Sequence, residues 1–104
     1  MPEARRGEVW IVDLGLAAKV RPCLILSVPA FDQDRALVSV VPHTTSTRGT
    51  RFEAPLKISF LRAGAFDAQS LVTIPHAKLV RKIGSVSAAQ LSVVEKVVRD
   101  WLGL

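Results

Sequence analysis

Lys19-Val20-Arg21-Pro22 sets two cations directly ahead of one of the most apolar runs in the chain, Cys23-Leu24-Ile25-Leu26. A guanidinium is planar, permanently charged and forked. It can hold two phosphate oxygens at once and meet charge that builds on phosphorus during transfer. Pro22 restricts Arg21 to extended backbone angles, which stiffens its presentation. The plainer alternative is a surface arginine paired with Asp13 or Glu8 across a neighbouring strand. The second concentration of chemistry is the loop Pro42-His43-Thr44-Thr45-Ser46-Thr47-Arg48-Gly49. Hydroxyls this dense, beside a histidine and an arginine, can donate several hydrogen bonds to a phosphodiester or a ribose. Ser/Thr-rich stretches are equally ordinary turn material, because their side chains bond nearby backbone.

Other chemistry is thinner. One cysteine, Cys23, excludes an internal disulfide, and two histidines make no cluster at zinc-ligand spacing. Inside its apolar run Cys23 reads as a small buried hydrophobe rather than a nucleophile. Fourteen Lys and Arg against nine Asp and Glu give a net charge of +5. That excess favours a polyanionic partner, whether nucleic acid, an anionic membrane surface or an acidic peptide, without choosing among them. The apolar fraction of 49% excludes a disordered chain, and 104 residues suffice for one hydrophobic core, so residues 1–104 are expected to form a single domain. No apolar run approaches the roughly 20 residues of a membrane span, and the N-terminus lacks the pattern of a secretory signal. A cytoplasmic protein that does not engage the membrane is expected.

The elements that must position these residues follow from patterning. Glu8 to Leu14 reads as a first strand ending at Gly15, and Pro22 to Ser27 as a second. Ala36 to Val41 reads as a third, halted by Pro42, with His43 to Gly49 as a loop and Thr50 to Lys57 as a fourth strand. Ile58 to Asp67 is ambiguous, with room for a helical turn around Ser59 to Arg62. Ser70 to Ile74 reads as a fifth strand and Leu79-Val80 as a short sixth. The period then changes. Ser87-Ala88-Ala89-Gln90 fits a capping box, Leu91, Val94, Val97, Val98, Trp101 and Leu102 trace a helical stripe, and Gly103 supplies the stop. Several short strands without strand–helix alternation predict an α+β, mainly β fold: an antiparallel, strongly curled small barrel closed by a C-terminal helix.

Three segments together, Arg6 to Leu14, Val20 to Ser27 and Val41-Pro42-His43-Thr44-Thr45, resemble the MazF/PemK family of toxin endoribonucleases from bacterial toxin–antitoxin pairs. The tail from Ile74 to Leu104 is similar to that family's ending, so the resemblance spans nearly the whole chain. It implies an SH3-like barrel, a homodimer, a cognate antitoxin, and sequence-selective cleavage of single-stranded RNA at short sequences, without a metal or other cofactor. Cleavage would run by attack of the ribose 2′-hydroxyl on the adjacent phosphorus, leaving a 2′,3′-cyclic phosphate and a 5′-hydroxyl. The catalytic arginine and threonine of the family match Arg21 and Thr44. Many members carry a longer loop ahead of the arginine than Gly15 to Val20 here, and Lys19 stands where it could supply a phosphate contact.

Within that frame His43, Thr45, Arg48, Arg51 and Lys78 are candidates for holding RNA. His43, with an ordinary pKa near ~6.5, also suits acid–base work, alone or with His76. His76 reads as structural, Trp10 as core, and Trp101 as packing the helix or a dimer contact. The rival class is a non-catalytic barrel, related to these toxins, that binds nucleic acid or protein.

Overall fold

β-Branched and aromatic residues in alternation generate the first three strands, β1 (Glu8–Asp13), β2 (Val20–Ile25) and β3 (Leu37–Thr44). The computed structural model describes residues 3–15 and 19–104, so positions 1–2 of the N-terminal segment and 16–18 of the loop ahead of Arg21 lie outside the described residues. Three short strands, β4 (Glu53–Ala54), β5 (Ala65–Asp67) and β6 (Val72–Pro75), and a longer one, β7 (Leu79–Ser85), follow, then helix α1 (Ala88–Leu102). Short 3-10 turns at Ala68–Ser70 and His76–Lys78 flank β6.

Every recorded strand pair is antiparallel, in the order β4-β5-β3-β2-β1-β7, with β6 also paired to β3. β3 is therefore the spine of the sheet. One of its edges carries β2; the other is shared, by β6 along Leu37–Val40 and by β5 at His43–Thr44. The expected mainly β, SH3-like barrel is present as a coiled sheet with an open seam, since no ladder joins β4 to β7 among the described residues.

Successive side chains of a strand point to opposite faces, and here both faces are buried. Trp10, Val12, Cys23, Ile25, Val38, Val40, Ile74 and Leu79 fill one core inside the curl. Val9, Leu24, Val41, Phe66, Val94 and Val98 fill the other, beneath α1. This double burial explains why β2 reads as a nearly unbroken apolar run. The helix starts where its capping box predicts: the Gln90 N–H donates to Ser87 Oγ at 3.1 Å and the Ser87 N–H to Gln90 Oε1 at 2.8 Å. It stops at Gly103 in the left-handed region. Arg6 ties it to the sheet, donating to the Leu26 carbonyl and pairing with Glu95. No helix among the described residues is long and apolar enough to cross a membrane.

The strands differ from expectation in several places; β2 opens at Val20 rather than Pro22, so Arg21 stands within it, and Ala65–Asp67 forms a strand of its own. β3 does not halt at Pro42 but runs on through His43 to Thr44. Pro42 stands where the neighbour on one edge changes from β6 to β5, the position at which a missing ladder donor costs least. The fourth strand shrinks to Glu53–Ala54 and pairs with β5, and residues 58–61 make a single turn, closed by the Leu61 N–H on the Ile58 carbonyl at 3.0 Å. β7 extends past Val80 to Ser85, following β1 through two register shifts.

Candidate active site

Register brings Arg21 and Thr44 together. β2 and β3 pair Ile25 with Val40, Leu24 with Val41 and Cys23 with Pro42. The ladder ends there, and side-chain alternation along each strand puts Arg21 on the same face as Cys23 and Thr44 on the same face as Pro42. Both line a single open cavity of about 650 Å³, together with Leu14, Pro42, Ser46, Arg48, Thr50, Glu53, Asp67, Gln69, Ser70, Val72 and Ile74. It continues the inner core outward: Ile74 belongs to that core and Leu14 packs against it. Arg21 is half-buried on β2. The Ser46 N–H donates to Thr44 Oγ1 at 3.1 Å, which orients the hydroxyl oxygen and leaves its hydrogen to donate into the cavity.

The opposite wall was not legible as a site. Glu53 on β4 faces Asp67 on β5. Glu53 accepts the Arg48 N–H at 3.1 and 3.0 Å on its two oxygens, the Gly49 N–H at 2.8 Å and the Thr50 N–H at 3.3 Å. Those bonds, the Arg48 one foremost, hold its carboxyl below the usual range against the opposing effect of burial. Glu53 thus folds the loop that carries Arg48 to the cavity. Asp67 caps the 3-10 turn, accepting the Gln69 N–H at 3.1 Å and the Ser70 hydroxyl at 2.7 Å. An Asp immediately ahead of Ala68-Gln69-Ser70 is the sequence signal for it.

The remaining candidates scatter. Thr45 lines a smaller neighbouring depression with Thr47, Gly49 and Ala63. Lys19 is exposed at a positive φ of 57°, two residues before Arg21 and not on the cavity wall. Arg51 lies over the Phe52 ring, 4.5 Å from its centroid, and Phe52 packs on Trp101 at 5.1 Å. Lys78 sits on the 3-10 turn ahead of β7, also off the cavity wall.

His43 corrects the expectation of a loop residue that touches RNA. Because β3 continues through Pro42, the side-chain alternation turns His43 away from Thr44 and into the second core. It is 4% exposed there, edge-on to Phe66 at 5.1 Å, with no hydrogen-bond partner for Nε2. Burial pushes its pKa below the ordinary value. A ring this buried, edge-on to Phe66, presents no exposed edge for an RNA strand to touch. Gly64 closes it in: a Cβ there would stand 2.8 Å from His43 Cε1 and 2.1 Å from the Thr44 carbonyl oxygen.

Cys23 is buried as expected, and burial, opposed by the Arg21 charge, pushes its thiol up to about 12. Glu8, one of the partners considered for Arg21, is engaged elsewhere, by the Arg5 and Trp10 N–H groups at 2.9 and 3.0 Å and by Lys82 at 3.1 Å. Among the described residues no three His, Cys, Asp or Glu side chains gather as a metal-ligand set.

Comparison with known proteins matches this architecture. Residues 5–102 fit the family described as PemK-like, MazF-like toxin of type II toxin–antitoxin system. An endoribonuclease in complex with its cognate antitoxin, from a mycobacterial species, superposes with a TM-score of 0.82 at 28% identity over 97% of this chain and 96% of that one. The Mycobacterium tuberculosis toxin MazF-mt6 gives 0.79 at 28% identity over 93% and 97%. MazF from Deinococcus radiodurans, 22% identical, shares the fold at 0.82 over the full length of both chains. The chain belongs to the PemK-like, MazF-like toxins of type II toxin–antitoxin systems.

Proposed function

We propose that this toxin is an endoribonuclease that cuts single-stranded RNA at the Arg21–Thr44 end of the cavity. The observation that carries the reading is the convergence of a strand-mounted guanidinium, a pre-oriented hydroxyl and Arg48 on one open cavity. A phosphodiester seated there meets the Arg21 fork on its non-bridging oxygens and the Thr44 O–H on one of them. The ribose 2′ oxygen attacks phosphorus, the bond to the 5′ oxygen breaks, the 2′ proton is lost and the leaving oxygen gains one. Negative charge grows on the non-bridging oxygens as phosphorus becomes five-coordinate, and Arg21 binds that state more tightly than the ground state. DNA lacks the internal nucleophile, so the reaction is confined to RNA.

The toxin works in the cytoplasm as a homodimer, restrained by an antitoxin. The family supports the last point, as does the complex of its mycobacterial relative with a cognate antitoxin. An acidic antitoxin segment would compete with RNA for Arg21 and Arg48, so inhibition and substrate binding exclude each other. Incubating the protein with a long single-stranded RNA in EDTA tests the reading. Discrete fragments ending in cyclic phosphate, absent with Arg21→Ala, are expected; RNA bound but uncut by the parent protein would instead support a non-catalytic barrel.

A further inference from the structure

Asp67 lies on the cavity wall one strand away from Thr44. β5 and β3 pair Ala65 with Thr44 and Phe66 with His43, so the next step of that register sets Asp67 opposite Pro42. Two residues along β3 and one strand across place the Thr44 and Asp67 backbones roughly 8 Å apart. A phosphate held at Thr44 therefore has its own nucleotide's base within reach of Asp67. Of about four lone-pair sites on a carboxylate, the Gln69 N–H and Ser70 O–H take one on each oxygen. One remains on Oδ1 and one on Oδ2, held in fixed orientation by those same bonds. Beside them are the Gln69 amide, which can donate, and the half-exposed apolar side chain of Val72, against which a base can lie flat.

Two adjacent acceptors select a base edge with two adjacent donors. Guanine has it, N1–H beside the N2 amino group, with its O6 left to accept from an amide such as that of Gln69. Uracil presents one donor between two carbonyl acceptors and would set an oxygen against the carboxylate. Single-stranded RNA is read on these edges, and an unmatched polar edge is penalised. We infer that Asp67, with Gln69, forms a guanine-selecting pocket for the nucleotide beside the scissile phosphate, and rejects uracil there. The inference rests on the proposed seating of a single-stranded phosphodiester at Arg21 and Thr44.

Uncleavable 2′-deoxy oligonucleotides test it independently of catalysis. The probes are a thymine tract, the same tract with one central guanine, and the same with inosine, which lacks the N2 amino group; thymine shares uracil's edge. The parent protein should bind the guanine probe roughly ten- to a hundredfold more tightly than the thymine tract, with inosine between them. Asp67→Asn keeps a helix-capping oxygen and should bring the probes level. Equal binding of guanine and thymine probes by the parent, or of guanine and inosine, overturns the pocket, as does a guanine preference that survives in a folded Asp67→Asn. A guanine preference in a protein that fails to cut RNA would leave the pocket standing and overturn the nuclease reading instead.

Discussion

Gly64→Ala isolates the contact that holds Thr44 in place. The new methyl carbon would lie 2.1 Å from the Thr44 carbonyl oxygen, 3.0 Å from its carbonyl carbon and 2.8 Å from His43 Cε1. None of these atoms can swing aside: two belong to the backbone of the sheet's spine and the third to a ring wedged against Phe66. Overpacking a well-filled interior costs about 1–3 kcal/mol, and a clash with backbone falls at the upper end, about 3 kcal/mol. At ~4–8 °C per kcal/mol for chains of about this size, the melting temperature should fall by about 12–24 °C. Gly84→Ala is the control. Its methyl would come as close as 2.5 Å, but to the tip of Phe60, a ring 38% exposed and able to turn away. Its cost should stay within about 1 kcal/mol. Below its melting point Gly64→Ala should also cleave RNA about a hundredfold more slowly, the penalty of misplacing a catalytic group by about 1 Å. Melting by circular dichroism and single-turnover cleavage of a labelled RNA read both effects. If Gly64→Ala melts within about 3 °C of the parent, the packing argument fails.

Three other outcomes follow from burial and hydrogen bonding. The lowered pKa of His43 means the unfolded chain takes up a proton that the folded one refuses, so stability should fall as pH drops below about 6.5; His43→Leu should flatten the melting temperature between about pH 7 and pH 5.5. An unchanged slope would show that His43 is not the titrating group. Cys23, with its thiol pushed up to about 12, should ignore a thiol reagent in the native protein and react at the rate of unfolding, as followed by absorbance. Glu53→Ala should speed amide exchange at Arg48, Gly49 and Thr50 while leaving the Ser87 and Gln90 amides of the helix cap unaffected, since the carboxylate accepts from the amides of that loop.

Local chemistry made the helix legible: Ser87, Gln90 and Gly103 act within a few residues of one another, so composition encodes the cap directly. Arg21 stood out by its type and its place beside Pro22, but its pairing with Thr44 came from the family resemblance, because neither segment alone distinguishes a site from a surface arginine and an ordinary polar turn. His43 was not. Its direction depends on whether β3 passes through Pro42, and that depends on two separate strands sharing one edge, a tertiary fact. β5 has only three residues, too few for any period to register, yet it supplies Asp67 and pairs with Thr44. Glu53 reads as an ordinary strand carboxylate until the chain doubles back and brings the amides of residues 48–50 onto it.

The claim that Arg21 and Thr44 act on one phosphate is tested most directly by a double-mutant cycle on single-turnover cleavage, with Arg21→Ala, Thr44→Val and the double variant. If both groups serve the same phosphorus, the double variant should cut hardly more slowly than Arg21→Ala alone, because the threonine bond helps only a phosphate that the arginine has seated. Losses that simply add, or a Thr44→Val protein as fast as the parent, would contradict a shared site.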